Sequence, residues 1–159
     1  DIELNDLKNR FLTIGTAKVA TSGHEAFDLG ILVPGRDHIN LNKMRQITEA
    51  KAAAIELAEA GYTKPVMRTD IKVQGRAGLG MFYAGSNSML VGKYISAHDK
   101  LISEKLGYVM CGGDLSEGTM VSEQYLLDLE REAFVSLCAE RKTMERIQSI
   151  LQTGRPLRN

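Results

Sequence analysis

The sequence predicts a mainly α protein: a helical bundle of about six to seven helices with little or no strand. Three observations carry this reading. Apolar residues recur at 3.6-residue spacing in one segment after another. Serine or asparagine precedes many of these segments and glycine follows, as helix caps do. Alternating apolar and polar residues are almost absent, Asp70-Ile71-Lys72-Val73 being the exception.

The elements follow in order. Leu4, Leu7, Phe11, Leu12 and Ile14 mark a helix from about residue 3 to 15. Asp1 to Phe11 reads as a helix already in progress, so the chain is expected to be a piece of something longer. Ser22-Gly23-His24-Glu25 reads as a capping box opening a short helix that stops at Gly30. Ile31-Leu32-Val33 then meets Pro34-Gly35, a turn signal. Asn40 or Asn42 caps the next helix, which carries Met44, Ile47, Lys51, Ala54, Ile55 and Ala58 and ends at Gly61. Tyr62 to Gln74 reads as a linker, with Asp70 to Val73 as a short edge strand or arm. Residues 75 to 92 hold five glycines yet keep a helical pattern in Leu79, Phe82, Tyr83, Met89 and Leu90. Ser96-Ala97-His98-Asp99 opens a helix that closes at Gly112-Gly113. A helix from about 122 to 139 turns Tyr125, Leu126, Leu129, Ala133 and Leu137 inward. The last, from about 142 to 153, has Met144, Ile147, Ile150 and Leu151 as its stripe, and Gly154 and Pro156 end it. The expected domains are 1–61, a linker at 62–74, and a bundle at 75–159.

Composition sets limits on function. The chain has 159 residues, 20 Lys+Arg against 20 Asp+Glu, and 43% hydrophobic residues. A neutral chain lacks the basic footprint of a nucleic-acid or anionic-lipid binder. The apolar runs are too short to span a bilayer. Cys111 and Cys138 form no disulfide framework and read as reduced core residues; with no signal peptide in view, the cytoplasm is the expected compartment.

Candidate chemistry is sparse. Gly75-Arg76-Ala77-Gly78-Leu79-Gly80 has the placement of an anion-binding loop, but its spacing is G-x-x-G-x-G and no Lys-Ser/Thr follows. Packing glycines are the simpler reading. Cys111-Gly112-Gly113-Asp114 lies at a helix C-terminus, where the dipole opposes a thiolate. Asp114 to Gly118 misplaces the glycine of a calcium loop, with Tyr125 where the twelfth ligand belongs. His24, His38 and His98 are too far apart for ligand spacing. Glu123, Asp128, Glu130, Arg131 and Glu132 read as a solvated helix face. No catalytic residue and no metal ligand is expected.

Two stretches resemble known families. Ser22-x-x-Glu25-Ala26-x-x-x-Gly30-Ile31-Leu32-Val33, followed by a helix with Ala50, Ala54 and Ala58, resembles the late part of the enoyl-CoA hydratase (crotonase) fold, with Gly23 where that pattern has Ala. Tyr94-Ile95-Ser96-x-His98-Asp99, Cys111 to Ser116, Val121 to Phe134 and the ending Gly154-Arg155-Pro156-Leu157-Arg158-Asn159 resemble the C-terminus of a bacterial multifunctional fatty-acid β-oxidation protein. That family joins an NAD-dependent 3-hydroxyacyl-CoA dehydrogenase to a crotonase-like domain.

The resemblance implies a non-catalytic helical region that covers an acyl-CoA site or docks domains or subunits. Its partners would be the rest of the parent polypeptide, acyl-CoA in that parent, and further copies of itself. NAD and a CoA thioester are implied for the parent and not for this segment. No catalytic position of the family falls on this chain. Lys43, Arg45, Arg76 and Lys93 are cations that no motif ties to CoA. The alternative is a stand-alone helical interaction module with no enzymatic link. A reading frame continuing upstream into a G-x-G-x-x-G strand–helix unit would favour the enzyme.

Overall fold

A computed structural model describes residues 2–159; Asp1 lies outside the described residues. Seven α-helices are present among them: α1 (Ile2–Gly15), α2 (Gly23–Asp28), α3 (Gln46–Glu59), α4 (Gly75–Val91), α5 (Ala97–Met110), α6 (Glu123–Cys138) and α7 (Arg141–Thr153). A 3-10 turn at Lys43–Arg45 precedes α3. The mainly α architecture is as the periodicity predicts. Strand is confined to β1 (Ile71–Lys72) and β2 (Met120–Val121), paired antiparallel with Ile71 opposite Val121. The first half of this ribbon is the expected edge strand. The second half was not foreseen, because two residues before a helix cap carry no alternation to read.

The described residues form two compact units, 2–16 with 67–159, and 17–66. In the larger unit, Leu79 and Phe82 of α4 and Cys111 after α5 are buried together, and Leu7 and Phe11 of α1 pack against them. The Phe11 and Phe82 rings stack at 4.2 Å. This seats α1 with the later helices, whereas the expected first domain ran from 1 to 61. On α1 only part of the predicted stripe turns inward: Leu4, Leu7 and Phe11 are half-buried, while Leu12 and Ile14 are exposed. Gly107 lets α5 approach α4, since a Cβ there would stand 2.9 Å from Phe82 Cβ.

In the smaller unit the Ser22 hydroxyl accepts from Glu25 N, but the Glu25 carboxylate turns to Thr21 N and Oγ1, so the expected box is half made. Gly30 ends α2 in a Schellman motif: Ile31 N donates to Ala26 O and Gly30 N to Phe27 O. Gly61 ends α3 in the same way. Asn42 caps the 3-10 turn through Met44 N. Along α3 only Ala53 is better than exposed, so the predicted apolar stripe lies uncovered within its unit.

The helix α7 departs further from expectation. Its buried residue is Thr143, while Met144, Ile150 and Leu151 of the expected inward stripe are exposed. It meets α5 through a polar seam instead.

Candidate functional site

In the glycine segment at 75–80, Gly75 and Gly78 are committed to packing, while Gly80 faces open space. Gly75 N donates to Cys111 O and Arg76 N to Leu115 O, both at 2.9 Å, so these helix N–H groups are already taken. The Arg76 guanidinium pairs with Asp114, which also removes that carboxylate from any cation loop. The segment does not fit a dinucleotide phosphate. Cys111 is fully buried, and burial pushes its thiol up to about 11, the wrong direction for a nucleophile. Cys138 is half-buried and also free. No group of three or more metal-ligating side chains occurs among the described residues.

The other cations disperse. Arg45 pairs with Glu49 at 3.3 Å. Lys93 follows α4 in a left-handed conformation. Lys43 lines a cleft of about 560 Å³ between residues 38–43 and the Gln46, Ala50 and Ala53 face of α3. In that cleft wall Asn40 Oδ1 accepts from Asn42 N at 2.6 Å, while its Nδ2 is buried with no partner.

A polar cluster joins α5, α7 and the tail, and no motif in the sequence announces it. The Ser96 hydroxyl accepts from Asp99 N, and Asp99 Oδ2 accepts from Ser96 N: a complete capping box. Asp99 Oδ1 then accepts from Arg146 Nη1 at 2.7 Å, and both side chains are largely sheltered. Burial pushes the Asp99 carboxyl up. The Ser96 N–H, the Arg146 guanidinium and the Ser96 hydroxyl outweigh it and hold the group below its ordinary range. Behind this pair His98 is buried, its Nε2 hydrogen-bonded to Thr143 Oγ1 at 3.0 Å. The capping signature was legible; its link to Arg146, 47 residues away, was not.

The chain is similar to part of a probable 3-hydroxyacyl-CoA dehydrogenase. The relative is from Bacillus subtilis (strain 168) and is 41% identical over 156 residues, covering 98% of this chain. The chain spans about a fifth of the relative's length. No family model and no solved structure matches. Among the described residues no helix is long and apolar enough to cross a membrane.

Proposed function

We propose that this chain is a non-catalytic helical region of a larger fatty-acyl-CoA β-oxidation enzyme. In this reading it lies toward the parent's C-terminus and docks domains or subunits, or covers the acyl-CoA site. The parent oxidises 3-hydroxyacyl-CoA with NAD, hydrates 2-enoyl-CoA, or does both, in the cytoplasm. NAD and the CoA thioester belong to the remainder of the parent, whose segments supply the nucleotide fold and the thioester oxyanion donors. The observation that carries the proposal is the 41% identity running through nearly the whole chain to one fifth of a dehydrogenase. The spending of polar groups supports it: Asp99, Arg146, Arg76 and Asp114 hold elements together. The open face around α3 supports docking.

The test is activity of the purified chain. NADH formation from 3-hydroxybutyryl-CoA and hydration of crotonyl-CoA are both expected at the buffer rate. Turnover of either substrate by the pure chain, proportional to its concentration, overturns the non-catalytic reading.

A further inference from the structure

The segment after α7 is held at Arg155 and Asn159, and the Asn159 side chain is read on both edges. Gly154 takes the left-handed conformation that ends α7, and the chain then runs back along the helix. Ser149 Oγ donates to Arg155 O at 3.0 Å. Asn159 Oδ1 accepts from Arg146 Nε at 2.8 Å, and its main-chain oxygen accepts from Arg146 Nη2 and Ser96 Oγ, each at 3.2 Å. Asn159 Nδ2 donates to Glu145 Oε2 at 2.8 Å and to Lys142 O at 3.2 Å.

The spacing explains the track. Residues 142, 145, 146 and 149 fall at i, i+3, i+4 and i+7, one face of α7. The partners also fix the amide's orientation. Arg146 offers only donors, and the Lys142 carbonyl and Glu145 carboxylate offer only acceptors. A flipped amide would set donor against donor and acceptor against acceptor. An aspartate would set a carboxylate oxygen against Glu145 and the Lys142 carbonyl. The arrangement therefore selects asparagine over its nearest isostere.

We propose that Ser96, Lys142, Glu145 and Arg146 form a peptide-binding site specific for asparagine, and that residues 155–159 are its ligand held in cis. The tail is then a strap that ties the start of α5 to α7 through a replaceable contact. The same chemistry takes a separate peptide of this sequence when the resident side chain is removed.

The experiment uses the full chain carrying Asn159→Ala, titrated with the peptide Gly-Arg-Pro-Leu-Arg-Asn and followed by NMR at Ser96 and Arg146. Saturable binding is expected, at least tenfold tighter than to the unaltered chain, whose site is filled. The peptide ending in Asp is expected to bind at least tenfold more weakly. No binding, equal binding to both chains, or indifference to Asn against Asp overturns the proposal. A second reading needs no variant. In the unaltered chain the Asn159 side-chain amide protons should exchange with solvent more slowly than those of the exposed Asn5 or Asn87. Equal rates also overturn it.

Discussion

Gly75 and Lys93 share the left-handed region, at φ +54° and +61°, with opposite consequences. At Gly75 a Cβ would stand 2.2 Å from Leu115 O, a backbone atom that is itself hydrogen-bonded to Arg76. Gly75→Ala adds the left-handed penalty of roughly 1–2 kcal/mol to that collision, so a loss above about 2 kcal/mol is expected in urea unfolding. At Lys93 the helix end asks for glycine and has lysine: Lys93 N donates to Leu90 O and Tyr94 N to Met89 O, as in a Schellman motif. Lys93→Gly should therefore raise stability by about 0.5–1 kcal/mol in the same assay, the strain relieved being partly offset by unfolded-chain entropy. A loss would contradict the assignment. Much of this was legible, since glycine-rich 75–80 reads as packing and Gly30, Gly61 and Gly112 as stops. Lys93 was not, because Gly92 beside it claims the signal while sitting at an ordinary φ of −70°.

Among elements, capping was readable and partnership was not. Ser96 and Ser122 both cap helices, at α5 and α6. Only Ser96 also reaches Asn159 and shares Asp99 with Arg146. Ser122→Ala is expected to cost about 1 kcal/mol, the usual worth of an N-cap, and Ser96→Ala more, because the strap loses a donor as well. Equal costs in parallel urea titrations would remove the link between cap and tail. Periodicity marked Met144, Ile147, Ile150 and Leu151 as the inner face of α7. The helix turns Thr143 and Arg146 to its neighbour because α5 presents His98 and Asp99 there, a preference that lives in the other helix's sequence. This seam sets a pH dependence. Burial holds His98 below its ordinary range, Arg146 and Lys142 add to the effect, and Glu140 and Asp99 oppose it. The unfolded chain takes a proton on His98 near pH 6.5 and the folded chain only at lower pH, so this contribution is full above about pH 6.5 and is lost as pH falls through the folded chain's lowered value. Asp99 works the same way, but its contribution is lost only below about pH 4. Between pH 6.5 and 4.5 the melting temperature should fall more steeply for the unaltered chain than for His98→Gln, and parallel slopes would show that His98 does not titrate with folding.

For the whole molecule, the two units differ in what their apolar residues have to cover them. Residues 67–159 with α1 bury Val73, Leu79, Phe82, Cys111, Val121, Leu129 and Ala133. In residues 17–66 the one buried hydrophobic is Ala26. Leu41, Met44 and Ile47 are 88%, 91% and 85% exposed, and Ile31, Ile55 and Leu57 are about half exposed. Covering one such side chain is worth roughly 1.5–3 kcal/mol, so the set represents something on the order of 10 kcal/mol, comparable to the stability of a domain. Sequence periodicity located Met44, Ile47 and Ile55 of this set but is silent on their partner, because a 3.6 repeat marks a face and not what meets it. In the proposed parent the remaining polypeptide supplies that cover. In the isolated chain a second copy is the available substitute, and a two-fold pair lets one patch cover its own twin. Light scattering on a gel-filtration column should therefore give a mass near twice 17.5 kDa at tens of micromolar, with Ile47→Glu returning it toward the single-chain value. Amide exchange should slow along α3 as concentration rises, while α4 and α5 exchange at a constant rate. A concentration-independent 17.5 kDa species with α3 already well protected would mean that the stripe is covered within one chain, and pairing would be excluded.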